Sequence, residues 1–249
     1  MEKVATRLYI PAALAEGGAA EIDAAQAHRL RHVLRLGPGA YVAAFNARDG
    51  EFFCRIAELE RNGGSVAVER RLRAPEPEAD LWLLFAPIKR LRLDWLIEKG
   101  TELGVSAFVP VMTERTQPER LNRERLDAHA VAAAEQSERL SVPEIRAAER
   151  LPKLLAGWAS ARQLVVCDET GGGEPIAEVL GQLTPGRPTA LLIGPEGGFA
   201  ERELDALADL SFVTRAGLGP RVLRAETAAL AALAAYQAIA GDWRRSRSR

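Results

Sequence analysis

Hydrophobic and polar positions follow two rhythms along the chain. Short strand-like runs come first, at Arg7 to Ile10, Ala40 to Phe45, Phe52 to Leu59 and Ser65 to Val68. Turns such as Gly37-Pro38-Gly39, Arg48-Asp49-Gly50 and Asn62-Gly63-Gly64 separate them, which is the signature of hairpins. One helix is expected among them, from about Ala24 to Leu34. This half reads as a small β-barrel, residues 1–73, near the lower size limit for independent stability. Beyond residue 80 the period changes. Apolar runs at Leu81 to Ala86, Ala107 to Met112, Gln163 to Cys167, Thr189 to Ile193 and Phe212 to Leu218 alternate with amphipathic helical stretches. Leu93, Leu96, Ile97 and Leu103 share a helical face, as do Leu204, Leu207 and Leu210. Thr227 to Ala240 is helix-forming and stops at Gly241. Strands alternating with helices predict a parallel sheet covered on both faces.

The segment Ala74 to Asp80, with two prolines and three acids, reads as a stiffened linker. The expected layout is therefore a barrel at 1–73, a linker at 74–80, an α/β domain at 81–243 and a mobile basic tail at 244–249. Composition narrows the classes further. The 249 residues carry 33 basic and 34 acidic side chains and are 47% hydrophobic, which excludes disorder, collagen and disulfide scaffolds. No apolar stretch reaches the roughly 18 residues of a bilayer span, and the start of the chain lacks the pattern of an export signal. A cytoplasmic protein with no membrane role is expected. Cys54 and Cys167 lie in apolar runs away from metal-spaced partners, so buried thiols and no metal are expected. Only four of the 33 basic residues are lysines. Arginine forks suit phosphates and bases, but a GC-rich genome gives the same excess, so only clusters of arginines carry weight.

In open parallel sheets ligands bind where strands end. Three strand exits are rich in glycine: Asp168 to Gly173, Gly194-Pro195-Glu196-Gly197-Gly198, and Gly217-Leu218-Gly219-Pro220-Arg221. Glycines let backbone approach a ligand closely. The phosphate-loop and dinucleotide fingerprints are both missing, so nucleoside triphosphates and nicotinamide cofactors lose support. Three such loops in one half of the chain point to a shared pocket.

The motifs are more specific than turn chemistry. Leu191 to Phe199 (LLIGPEGGF) and Leu218 to Ala228 (LGPRVLRAETA) lie near the carboxyl end. Upstream come Arg7 to Pro11 (RLYIP), His28 to Arg35, Lys99 to Val105 (KGTELGV), Thr113-Glu114-Arg115, Glu135-Gln136-Ser137 with Arg139, and Pro143-Glu144-Ile145. With these motifs the chain resembles the RsmE family, the 16S ribosomal RNA uridine N3-methyltransferases of the SPOUT superfamily. Two departures stand out. Glu138 occupies a family glycine position, and the family Phe-Asp-Gly turn is stretched to Phe45-Asn46-Ala47-Arg48-Asp49-Gly50.

The resemblance implies a PUA-like barrel for RNA, then a SPOUT α/β domain whose end threads a trefoil knot that binds S-adenosyl-L-methionine. It also implies a homodimer acting on 16S rRNA or the small ribosomal subunit. Glu169, Gly194, Glu196, Gly197, Leu218, Gly219 and Leu223 become cofactor candidates, with Leu191 and Ile193 as apolar walls. Arg221 and Arg224, three residues apart, could hold a phosphate or the uracil oxygens, with a salt bridge to Glu226 or Glu196 as their structural alternative. Glu226 and Glu196 are candidate bases or arginine orienters, and the residues do not decide which of the two, if either, takes the proton. His28, Arg29, Arg31, His32 and Arg35 form a basic cluster on the expected helix, four of them on one face, that suits an RNA backbone. Arg115 and Arg139 are further RNA candidates. His129, on a helix expected from Arg120 to Leu140, has no acid at suggestive spacing and reads as an exposed helix residue. Trp82, Trp95 and Trp158 are expected in the core, with Trp243 anchoring the last helix. Two competing readings are a non-catalytic RNA-binding assembly factor and a SPOUT enzyme acting on transfer RNA or ribose 2′-hydroxyls.

Overall fold

The computed structural model of the protein describes residues 3–117 and 121–244. Contacts divide the chain into two units, one running to Pro77 and including Ala134–Val142, the other made of Glu78–Ala133 and the chain from Pro143.

The first unit is one five-stranded sheet. Its strands are β1 (Arg7–Tyr9), β2 (Ala19–Ile22), β3 (Tyr41–Asn46), β4 (Gly50–Glu60) and β5 (Gly63–Arg73), in the order β1-β3-β4-β5-β2. β1 runs parallel to β3, and the other pairs are antiparallel. The core is built from inward residues such as Leu8, Ile22, Leu30, Val42, Phe52, Ile56 and Val66. β2 escapes a reading of the sequence because Ala-Ala-Glu carries little strand preference.

Helix α1 (Ala24–His28) opens with a reciprocal cap, Gln26 N donating to Asp23 Oδ1 at 2.7 Å and Asp23 N to Gln26 Oε1 at 3.2 Å. The expected regular helix to Leu34 does not form. From Arg29 to Val33 the chain takes a π-helical turn, and Arg35 beyond it has φ +54°. The wider turn lets Leu30 fill the core while Val33 stays exposed.

Residues 134–142 are tied into this unit by a partly buried arginine. Arg7 donates to the carbonyls of Ala134, Glu135 and Arg139 at 2.8–3.0 Å and to Glu51 Oε1 at 2.5 Å, with its guanidinium over the Phe45 ring. A charge so largely covered is tolerated because its donors are used.

The second unit contains β6 (Leu81–Phe85), α2 (Arg90–Glu102), β7 (Ala107–Met112), α3 (Arg123–Gln136), β8 (Glu144–Ile145), β9 (Glu149–Arg150) and α4 (Leu151–Ala156). It continues with β10 (Gln163–Cys167), β11 (Glu174–Pro175), α5 (Ile176–Gly181), β12 (Thr189–Ile193), α6 (Glu201–Ala208), β13 (Val213–Gly217) and α7 (Ala225–Ile239). The last three residues of α3 belong with the first unit. The long apolar runs became strands because every residue of β10 and β12 is buried, as a sheet covered on both faces requires. All its pairings are parallel, in the order β11-β13-β10-β12-β6-β7-β8, with β9 beside β7. β12 thus lies between β6 and β10, although β10 precedes it in the chain. On one face Leu84, Val109, Val166 and Leu192 pack with Leu204 and Leu207 of α6; α7 lies against β12, α2 and α5.

Several expectations need correction. α3 is shorter than Arg120 to Leu140, and Arg120 lies outside the described residues, as does the tail from Arg245 to Arg249. Trp82 and Trp158 join the core, but Trp95 and Trp243 are exposed. Both cysteines are buried free thiols, and burial pushes Cys54 up to about 11 and Cys167 up to about 12. No helix among the described residues is long and apolar enough to cross a membrane.

Candidate functional site

Strand register brings the three glycine loops together. Phe85, Ile193, Cys167 and Ala216 are Cα partners in one row across β6, β12, β10 and β13. Because the strands are parallel, Ala86, Gly194, Asp168 and Gly217 leave the sheet along the same edge, where such folds bind ligands.

The first loop is held by Asp168. This buried carboxylate accepts from Thr170 N at 2.9 Å and Thr170 Oγ1 at 2.8 Å, and from Arg215 Nη2 at 2.5 Å and Nε at 3.0 Å. Burial works against its charge, but the Thr170 and Arg215 bonds outweigh it and hold the carboxyl below its usual range. At Gly173 a Cβ would meet the Ala216 backbone at 2.7 Å, so only glycine lets this loop lie against β13.

The second loop is tied to the first. Glu169 Oε1 accepts from Phe199 N at 3.2 Å, and Arg115 Nη1 donates to Gly197 O at 2.9 Å. Gly198 has φ +69°, and a Cβ there would fall 1.9 Å from Glu169 Oε1. The start of α6 is capped by Glu203, which accepts from Ala200 N and Glu114 N.

In the third loop Gly219 takes φ +92°. Arg221 and Arg224 are exposed, and their side chains make no hydrogen bond or ion pair among the described residues. Their expected partners are taken by a residue that escapes a reading of the sequence. Arg92, in the first turn of α2, lies with Nε 3.4 Å from Glu226 Oε1 and Nη1 3.7 Å from Glu196 Oε1. Glu226 sits in the first turn of α7, where the helix dipole favours an acid, and its Oε2 is buried without a hydrogen-bond partner among the described residues. The first turn of α2 has no acid to balance Arg90 and Arg92 beside Lys89, an arrangement the dipole disfavours by about 0.3–1 kcal/mol per charge. The signal in the sequence was that Lys-Arg-Leu-Arg run at a helix start.

The remaining candidates are spread differently. Leu191 and Ile193 are buried within β12, and Leu218 and Leu223 are half-buried in the third loop. In the first unit the rings of His28 and His32 lie 4.7 Å apart, tilted by 42°, and Arg31, His32 and Arg35 are exposed. Arg29 leaves that cluster: Nη1 donates to Glu135 Oε2 at 2.5 Å and Nη2 to Arg7 O at 3.1 Å. Arg139 is half-buried and donates to Ser141 Oγ at 2.8 Å. His129 does have an acid nearby, supplied by another helix: its Nε2 is 3.7 Å from Asp94 Oδ2, which also pairs with Arg125.

Backbone N–H groups of Glu196, Gly197, Gly219 and Leu223 donate to nothing among the described residues. Unspent amides beside glycines and half-buried leucines fit a ligand like S-adenosyl-L-methionine, whose adenine needs polar backbone partners and apolar walls.

Residues 75–237 match the family described as RNA methyltransferase domain. The chain is 33% identical, over 92% of its length and 93% of the relative's, to ribosomal RNA small subunit methyltransferase E of Rickettsia conorii. The chain belongs to this family. It is 31% identical to the methyltransferase E of Bacillus subtilis, over 86% of this chain and 88% of that one. A crystal structure of methyltransferase E from Neisseria gonorrhoeae, bound to S-adenosyl methionine, superposes with a TM-score of 0.84 at 26% identity, covering 96% of this chain and 99% of that one. In this methyltransferase E relative, Glu138 has φ +63°, a backbone region in which glycine is at ease and a side chain is strained. A glycine, which the resemblance led one to expect here, would carry no such strain.

Proposed function

We propose that this protein transfers the methyl group of S-adenosyl-L-methionine to N3 of a specific uridine in 16S ribosomal RNA, in the cytoplasm and as a homodimer. The reading includes a SPOUT domain with a trefoil knot and a PUA-like RNA-binding barrel. The observation that carries it is the row Phe85–Ile193–Cys167–Ala216, which sets three glycine loops and the Arg92–Glu226 pair on one sheet edge within the region that matches RNA methyltransferases.

When bound, the donor supplies a methyl on a positive sulfur that a nitrogen nucleophile displaces in line. The chain supplies the rest. The exits after β12 and β13 offer amides and leucines to hold the donor, through Gly194, Glu196, Gly197, Leu218, Gly219 and Leu223, with Glu169 bracing the loop. N3 carries a proton that must leave, and Glu226 is the candidate to accept it, because its second oxygen has no hydrogen-bond partner among the described residues. Arg221 and Arg224, exposed and unpaired, are placed by this reading on the uracil oxygens or a neighbouring phosphate as charge develops. The pairing edge of uracil is reachable only in an unpaired or extruded nucleotide. Arg31, His32 and Arg35 are proposed to grip the RNA backbone with His28, and Arg115 and Arg139 to contact it elsewhere; Arg29 supports them through Glu135.

The test is methylation of ribosomal RNA and of small subunits from a strain lacking this modification, followed by nucleoside mass mapping. N3-methyluridine at a single site is expected. A methyl on ribose, on transfer RNA alone, or nowhere would overturn the proposal.

A further inference from the structure

We infer that Arg92 is a positioning residue for methyl transfer, acting through Glu226, an inference that rests on the function proposed above. Three observations meet at its guanidinium. It lies within 3.4 Å of Glu226 on α7 and 3.7 Å of Glu196 in the loop after β12, and so links two elements that come together only in the folded chain. Neither contact is a hydrogen bond, and none of its five donors is spent within the described residues. The pair thus orients by charge and leaves Glu226 without a hydrogen-bonded lock. The other Glu226 oxygen, Oε2, is buried and without a hydrogen-bond partner among the described residues, a state that costs free energy until a donor arrives. A uracil imide N–H is such a donor.

The dipole of α2 adds to the argument. A cation at the start of a helix gains nothing from the helix and is better placed almost anywhere else. Arg92 is held there by the carboxylates it faces, and its side chain remains one-third exposed. A guanidinium between the two carboxylates keeps the start of α7 and the loop after β12 in register, so that acceptor and donor sites move as one body. Arg92 then determines how well Glu226 is aimed, while the backbone amides of the loops hold the donor.

The experiment is a double-mutant cycle on the full-length protein, with methylation kinetics on ribosomal RNA, calorimetry with S-adenosyl-L-methionine and thermal midpoints for every variant. Arg92→Met should lower kcat about 100-fold while donor affinity changes less than threefold. Arg92→Lys should recover at least tenfold of that loss, since charge rather than fork geometry is used. In a Glu226→Gln background, Arg92→Met should cost less than threefold more. Equal losses in both backgrounds, a loss confined to KM, or no rescue by lysine would overturn the inference while leaving the methyltransferase reading intact. Wild-type protein that binds the donor but methylates no RNA would defeat that reading and the inference with it. Should Arg92→Met fail to fold, Arg92→Gln in the same two backgrounds decides the matter.

Discussion

Glu169 in the loop after β10 accepts a hydrogen bond from the backbone N–H of Phe199 in the loop after β12, at 3.2 Å. The bond joins two strand exits that are about thirty residues apart in sequence, and Gly198 makes room for it, since a Cβ there would collide with Glu169 Oε1. Gly198→Ala therefore combines a strained φ of +69° with a displaced carboxylate. Calorimetry should show donor affinity at least tenfold weaker, with stability lower by about 1–3 kcal/mol. Unchanged affinity would mean that the loop pair does not shape the donor site.

Arg221 and Arg224 are exposed and unpaired, so their loss should leave the fold alone. Arg221→Ala and Arg224→Ala should each lower kcat/KM about 100-fold, in line with removing one donor to developing charge. The thermal midpoint should correspond to a change within about 0.5 kcal/mol. Full activity in both would remove them from the chemistry.

Asp168 is held below the usual carboxylate range, against burial, by its bonds to Thr170 and Arg215. A carboxyl lowered in the folded state contributes stability that is complete above its unfolded pKa, near 3.9, and disappears as pH falls through the lowered value. Asp168→Asn should therefore lower the unfolding free energy at pH 7, and the gap to wild type should close in acid below about pH 4. Denaturant melts across that range measure it, and a gap that widens in acid would contradict the assignment.

Glu138 sits at φ +63°. Relief of that strain, worth about 1–2 kcal/mol, exceeds the extra chain entropy of glycine, about 0.5–1 kcal/mol. Glu138→Gly should thus stabilise the protein by roughly 0.5–1 kcal/mol in urea melts, the difference of those two terms. A loss of stability would show that the Glu138 side chain makes contacts worth more than the strain.

Arg31 and Arg35 are exposed in the same segment as the His28 and His32 ring pair. If they meet phosphates, Arg31→Glu with Arg35→Glu should weaken RNA binding uniformly across sequences. The slope of log affinity against log salt should fall by about 2, one per lost contact. Binding that survives with an unaltered slope removes this cluster from the RNA site.

Much of this was legible in the amino-acid order. Four of the five long strands of the parallel sheet coincide with almost wholly buried, mostly apolar runs, because a strand covered on both faces has little room for polar side chains; β13, half-buried and carrying Thr214 and Arg215, is marked less clearly. The glycine loops were visible for a similar reason: close backbone approach excludes other residues, so the requirement is written in single letters. Two-residue strands such as β8, β9 and β11 left no pattern, being too short to show a period. The π-turn at Arg29–Val33 was hidden as well, since its residues suit an ordinary helix and packing of Leu30 sets the wider turn.

Charge partners were the least legible. Local order placed Arg221 and Arg224 near Glu226, yet the cation that reaches Glu226 is Arg92, which precedes it by more than 130 residues. Likewise Arg29 reads as part of a basic stripe until Glu135 is found against it. The order of residues determined the sheet and the loops, because burial and glycine geometry act at each position by itself. Which charges meet across elements was decided by the tertiary structure, since such an ion pair depends on distances of a few ångströms between segments that only the folded chain brings side by side.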